Sequence, residues 1–347
     1  MILSNKIKVM IVDDSALVRR VLSRELGTCQ DIEIINMAPD PYVARDMIAK
    51  SKPDVILLDV EMPRMDGITF LRKLMQSYPI PTIIVSSLTQ QNSMLAMEAM
   101  RCGAVDVVTK PCEAYSIEEV IPLLIEKVKA ASLVNVKKIQ AQASGLTTQF
   151  AKITSFTATT NRILVIGSST GGTVALEKIL PTLPKNAPGT LVVQHIPAGF
   201  SRTLAERLNG ICDVSVKEAK NGDSVVPGQV LIAPGNYHMW LKRDGGRYEV
   251  KVGDGPQQHY QRPCVENLFN STAEQAGKSA VGAILTGMGA DGAEGLLNMR
   301  KAGARTIAQD EASSVVWGMP GSAVKLDAAE FVLPLDKIIP KALDLLK

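Results

Sequence analysis

The sequence predicts an α/β protein made of two doubly wound parallel-sheet domains. Three observations carry that expectation. The chain has 347 residues, which is too long for one ordinary domain. Apolar runs of strand length alternate with stretches of helical period along most of it, and fully apolar strands between helices imply burial on both faces of a parallel sheet. That alternation lapses once, over residues 129–160, where the composition also changes.

In the first part, up to residue 128, the strand runs are KVMIVDD, IEIINMA, DVILLD, TIIVSS and AVDVVTK. Helical stretches separate them. SALVRRVLSREL, for example, spaces Leu17, Val18, Val21, Leu22 and Leu26 on one face. Five βα units fit the length. Residues 1–127 hold 14 Lys/Arg and 17 Asp/Glu, a net of −3. Residues 128–160 hold four lysines and no acid, drift into Ala, Gln, Ser and Thr, and read as a linker over 129–160 whose start continues the preceding helix.

From residue 161 to 347 the alternation resumes, with 20 Lys/Arg and 18 Asp/Glu. The strand runs are RILVIGS, TLVVQH, GQVLIAP, HMWLKRD, RYEVKVG, AVGAILT and ARTIAQ. The turn at Asp244, Gly245 and Gly246 predicts an antiparallel hairpin inserted in this domain.

Composition excludes several classes. A net charge of +3 and an aromatic content of 4 % argue against nucleic acid and anionic membrane as partners. No basic recognition helix follows the first domain, which disfavours a transcriptional regulator. The five cysteines show no metal-ligand spacing and read as reduced packing residues of a cytoplasmic protein. No apolar stretch reaches about 18 residues, so no membrane insertion is expected. MILSNKIKVMIVDD carries charge inside a short apolar run, so no signal peptide is expected.

In an open parallel sheet, ligands bind beyond the carboxyl ends of the strands. In the first domain those ends carry Asp13 and Asp14, Asp59, Ser86, and Lys110. Asp and Ser also favour strand-end turns, which is the bland reading of any one of them. Together they form an acid pocket suited to Mg²⁺ and to phosphoryl transfer onto a carboxylate.

In the second domain Gly167 to Gly171 fits G-x-S-x-G, which places Ser169 on a sharp strand-to-helix turn with its Oγ exposed. The same turn also suits a helix cap or a phosphate cradle. A serine nucleophile needs a base. His195 ends the next strand, in TLVVQH; a structural histidine is the competing reading. His238 and His259 lack a comparable placement. An orienting acid is available in LTGMGADGA, where Asp291 stands at the start of a helix and could instead cap it. The order Ser, His, Asp differs from that of the α/β-hydrolases, and G-x-G-x-x-G is absent.

VDD, LLDVEMPRMDG, IIVSS and TKP resemble the response-regulator receiver family. IGSSTGG, QHIPAGFS, LIAPG and LTGMGADGA, preceded by that receiver and a linker, resemble the chemotaxis protein-glutamate methylesterase (CheB) family over nearly the whole chain. The resemblance implies a (βα)5 receiver at 1–128 and a methylesterase domain at 161–347. It implies Asp59 as phosphoacceptor, with Asp13, Asp14, Asp59 and the Glu61 carbonyl at a Mg²⁺ site, and Ser86 and Lys110 sensing the phosphoryl group. It implies Ser169 as nucleophile, His195 as base and acid, Asp291 as orienting acid, and Thr170 and Met288 near the oxyanion, with no cofactor in that domain. The partners it implies are methyl-accepting chemoreceptors, whose glutamate methyl esters are hydrolysed and glutamines deamidated, and a chemotaxis histidine kinase as phosphodonor. The enzyme is expected to be a monomer whose receiver covers the catalytic edge until phosphorylated. One departure stands three residues before Lys110, where motor-binding receivers carry an aromatic switch and this chain has Val107. A packing face then replaces an aromatic rotamer as the output. A phospho-switched binding module is the alternative function.

Overall fold

The computed structural model describes residues 6–111, 116–136 and 161–347. It divides the chain into two compact units, Met1–Thr147 and Thr148–Lys347.

The first unit holds five parallel strands: β1 (Ile7–Val12), β2 (Ile32–Ala38), β3 (Val55–Leu58), β4 (Thr82–Ser86) and β5 (Asp106–Thr109). Their order is β2-β1-β3-β4-β5. The chain leaves β1 for one side and returns to the other, so a crevice opens at the ends of β1 and β3. β3, β4 and β5 are buried at every position, as their unbroken apolar runs require. Among the described residues, helices span Ala16–Leu26, Pro41–Lys50, Gly67–Ser77, Gln90–Arg101 and Ile117–Ser132. Each opens on a Ser, Asp or Thr whose side chain accepts a main-chain N–H of the first turn: Ser15, Asp40, Asp66, Thr89 and Ser116. The last of these helices continues past residue 128. Most of the linker proposed at 129–160, residues 137–160, lies outside the described residues. Val107 is buried on β5 beside Ile84 of β4, in keeping with a packing role.

The second unit holds a seven-stranded parallel sheet of β6 (Ile163–Ser168), β7 (Gly189–Gln194), β8 (Ser215–Glu218), β9 (Gln229–Ile232), β12 (Ala280–Ile284), β13 (Arg305–Gln309) and β14 (Phe331–Leu333). The order is β14-β13-β12-β6-β7-β9-β8, so the direction of winding reverses at β6 and its neighbour β12. β10 (His238–Asp244) and β11 (Arg247–Gly253) form the expected antiparallel hairpin. Leu241, Tyr248 and Val250 of the hairpin join Leu268 and Phe269 of the helix Val265–Gln275 in one apolar cluster.

All twelve strand runs read from the sequence are strands. β8 and β14 were not expected. They are the two edges of the large sheet, short and only partly buried, so neither shows a continuous apolar run.

Candidate active site

β12, β6 and β7 are consecutive neighbours in the sheet, and their carboxyl ends form one rim. Ser168 at the end of β6 pairs in register with Gln194 at the end of β7. Ser169 and His195 are therefore the next residues out on adjacent strands. Main-chain bonds lock them there: the His195 N–H donates to the Ser168 carbonyl at 3.0 Å, and the Ser169 N–H donates to the Thr286 carbonyl at 3.0 Å.

Gln194 staples the two ends. It accepts from Ser168 Oγ at 2.7 Å and donates through Nε2 to the carbonyls of Ser169 at 2.9 Å and His195 at 3.2 Å. On the other side Thr286 Oγ1 donates to the Thr170 carbonyl at 2.9 Å and accepts from the N–H groups of Val315 and Val316. The turn closes through Gly171 at φ +79°, a conformation other residues rarely adopt, and the helix Gly172–Ile179 follows. Gly287 is needed for close approach, because a Cβ there would stand 2.7 Å from Ser169 Cβ and 2.3 Å from Met319 Sδ.

The loop after β12 packs against Ser169 Cβ, and the residue as a whole is only 4 % exposed.

Asp291 lies in that same loop, 2 % exposed, with its Oδ2 2.6 Å from His195 Nε2. It does not cap the helix Ala293–Lys301 that it precedes, which starts at Gly292 without a side-chain cap. It caps a different helix. Oδ2 accepts the Val265 N–H at 2.8 Å, and Oδ1 accepts the Glu266 N–H at 2.9 Å and the Cys264 thiol at 3.0 Å. These are the first turn of Val265–Gln275, where the helix dipole favours a negative charge. Burial pushes the Asp291 carboxyl up, but the His195 imidazole, the Cys264 thiol and the Val265 N–H outweigh it and hold it at about 2. The group is a fixed carboxylate aimed at an imidazole.

Three supporting residues escaped sequence reading. Burial and the Asp291 charge push the Cys264 thiol up, so it stays protonated and donates. His238 accepts the Cys264 N–H at Nδ1, 3.2 Å, and its Nε2 lies 3.0 Å from the Pro256 carbonyl, so it is neutral, with burial lowering its pKa. Glu266 accepts the Gly292 N–H at 3.0 Å, and burial together with Asp291 raises its carboxyl to about 7. Their only sequence signal was position at or near the ends of apolar runs. His259 is exposed, in a turn away from these contacts. Thr170 is buried under Thr286, and Met288 is half-buried in the loop after Gly287.

A second cluster stands at the crevice of the first unit. One carboxylate oxygen from each of Asp13, Asp14 and Asp59 lies within 4.8 Å of the others. Lys110 Nζ reaches Asp59 at 2.7 Å and Asp13 at 2.8 Å. Burial and the Asp13 charge push the Asp59 carboxyl up, against Lys110. Hard oxygen ligands of this kind suit Mg²⁺. Ser86 Oγ is buried at the end of β4 with no hydrogen-bond partner. The Glu61 carboxylate accepts from Asn92 Nδ2 at 2.9 Å, and the Glu61 N–H donates to Asp59 Oδ1 at 3.3 Å.

The profile of the CheB methylesterase family matches residues 164–342, and that of the response regulator receiver domain matches residues 9–122. The chain belongs to the CheB methylesterase family. It is 54 % identical over 334 residues to a protein-glutamate methylesterase/protein-glutamine glutaminase of Syntrophus aciditrophicus, covering 96 % of this chain and 97 % of that one. It is 50 % identical over 349 residues to the Bdellovibrio bacteriovorus protein of the same name, covering 99 % and 98 %. Among solved structures, the CheB methylesterase catalytic domain of Thermotoga maritima aligns at 41 % identity with a TM-score of 0.53, covering 54 % of this chain and all of that one. The two family matches fall one in each unit of this CheB chain.

Proposed function

We propose that this CheB protein is a phosphorylation-regulated serine hydrolase that cleaves glutamate methyl esters on chemoreceptors and deamidates receptor glutamines. The observation that carries the reading is the buried His195–Asp291 pair beside Ser169, on the ends of three adjacent strands.

His195 Nε2 is held by Asp291, so Nδ1 is the nitrogen left to take a proton. Ser169 Oγ attacks the ester carbonyl as His195 Nδ1 accepts its proton. Main-chain N–H groups near Thr170 and Met288 hold the oxyanion. The C–O bond breaks, His195 returns the proton, and methanol leaves. Water activated by His195 then cleaves the acyl-enzyme to a glutamate carboxylate and Ser169. With a glutamine substrate ammonia leaves in place of methanol. Asp291 stays ionised throughout and stabilises the imidazolium.

In the receiver, 1–128, Asp59 is the nucleophile toward a phosphorylated histidine kinase, and Lys110 and Ser86 receive the phosphoryl oxygens. When bound by Asp13, Asp14, Asp59 and the Glu61 carbonyl, Mg²⁺ neutralises the charge that gathers there. Residues 129–160 link this switch to the catalytic domain, 161–347. The protein acts as a cytoplasmic monomer; among the described residues no helix is long and apolar enough to cross a membrane.

The test is methanol release from methylated receptor membranes, with a fluorophosphonate probe in parallel. Ser169→Ala should lose turnover by orders of magnitude and lose labelling. His195→Ala should lose labelling at Ser169. Near-normal methanol release by Ser169→Ala rejects the assignment.

A further inference from the structure

Asp291 and Glu266 hold each other's helices. Asp291 takes the Val265 and Glu266 N–H groups at the start of Val265–Gln275. Glu266 returns the grip: its Oε2 accepts the N–H of Gly292, the residue between Asp291 and the helix Ala293–Lys301. Neither helix has a side-chain cap from its own N-cap residue, since those residues are Cys264 and Gly292. The two carboxylates thus replace two missing caps reciprocally. A Cβ at Gly295 would stand 2.8 Å from Phe269 Cβ and 3.2 Å from Glu266 Oε1, so glycine there keeps the two helices close.

We propose that Glu266 is a positioning residue for the orienting acid: its grip on the Gly292 N–H fixes the peptide after Asp291 and so the aim of Asp291 at His195. The inference rests on the triad reading above. Glu266 touches no reacting atom in this scheme and acts only through Asp291.

Its charge sets where the role is read. Glu266 ionises near pH 7, raised by burial and by Asp291, so below that pH it is already neutral and the test is read on kcat above it. The groups facing it are Asn270 on its own helix, Gly292 and Glu294 at the start of Ala293–Lys301, and Asp291, behind which stand His195 and Cys264. An ionised Glu266 adds negative charge near the His195–Asp291 pair.

The experiment uses the full chain and methanol release from methylated receptor membranes over pH 5.5–9 as the chosen assay range. Glu266→Gln keeps an acceptor for Gly292, so its kcat should stay within about threefold of the parent. Glu266→Ala removes the acceptor. Its kcat should fall about tenfold, as expected for one lost hydrogen bond, with KM unchanged within about twofold. A Gln variant that loses as much kcat as Ala overturns the proposal, and so does an Ala variant that folds and keeps its kcat. If the Ala variant does not fold, a tenfold loss of kcat in the Gln variant overturns the proposal and a retained kcat supports it. Fluorophosphonate labelling of Ser169 in the parent, lost in Ser169→Ala, shows separately that the triad reading stands. Its failure condemns the triad and not this contact alone.

Discussion

Asp291→Asn tests the site most sharply. The carboxylate accepts four donors: His195 Nε2 at 2.6 Å, the Val265 N–H at 2.8 Å, the Glu266 N–H at 2.9 Å and the Cys264 thiol at 3.0 Å. An amide of the same shape offers one oxygen and one NH₂. If the NH₂ replaces Oδ2, it meets His195 and forces the proton onto Nδ1, where it blocks the nitrogen that must accept from Ser169. If the NH₂ replaces Oδ1, the tautomer survives but the charge that stabilises the imidazolium is gone. Loss of a triad carboxylate with geometry kept costs about 10⁴ in kcat, which is about 5 kcal/mol of barrier. Either orientation also turns an N–H donor of the first helical turn toward an amide N–H. An orphaned buried donor costs about 1–3 kcal/mol, and the lost charge at a helix N-terminus adds about 0.3–1 kcal/mol. For a domain of this size each kcal/mol lowers Tm by about 2–4 °C. The expected outcome is a Tm about 3–15 °C lower, and methanol release at 25 °C reduced by about 10⁴ in protein that is still folded. Adding His195→Ala should cost little more, since triad members act as a unit. A folded Asp291→Asn protein within tenfold of the parent would refute the reasoning.

The stability of the catalytic domain should change with pH through three groups. Asp291 is held at about 2 against an ordinary 3.8, so its contribution is present above 3.8 and lost as pH falls toward 2; the shift is worth about 2 kcal/mol. His238 is held below 6.5, so its part is present above 6.5 and lost as pH falls beneath it. Glu266 runs the other way: raised to about 7 against an ordinary 4.5, it costs stability that is recovered as pH falls from 7 to 4.5. Urea midpoints measured from pH 8 to pH 2 should fall in the Asp291 window, while between 6.5 and 4.5 His238→Gln should expose the gain from Glu266 and Glu266→Gln should expose the loss from His238. Gly287→Ala should cut both stability and turnover, because its methyl would meet Ser169 Cβ and the Met319 sulfur. Overpacking of this kind costs about 1–3 kcal/mol, read by thermal melts and methanol release, and a neutral result would show that the loop yields. Asp59→Asn should abolish stimulation of methanol release by a small phosphodonor with Mg²⁺; stimulation that persists would place the phosphoacceptor elsewhere.

The sequence was most legible where one strong signal decided the structure. Runs such as ILVIGS and DVILLD are buried at nearly every position and could be little else than central parallel strands. Ser169, His195 and Asp291 could be placed on one rim because strand ends share an edge in this class of fold. Partners that come from other elements could not be read. Asp291 looks like the cap of the helix that follows it, since capping is a local habit, yet its four donors come from His195 and from residues 264–266. Glu266 and Cys264 lie at an unremarkable helix start in the sequence, and only packing brings them to Asp291. β8 and β14 were illegible because edge strands lack the two-sided burial that writes a continuous apolar run.

The rim has a temporal consequence. Ser169 and His195 are made early in the second domain, while Asp291 lies 96 residues beyond His195 and on the far side of β6 from it. A nascent chain that has already delivered the serine and the imidazole still lacks the strand that carries the carboxylate, and β12 can join only after the hairpin and the helix behind it have emerged. On the proposed triad, hydrolytic competence therefore arrives late in synthesis, and fragments ending before residue 280 should be inert toward esters however well their early strands pair.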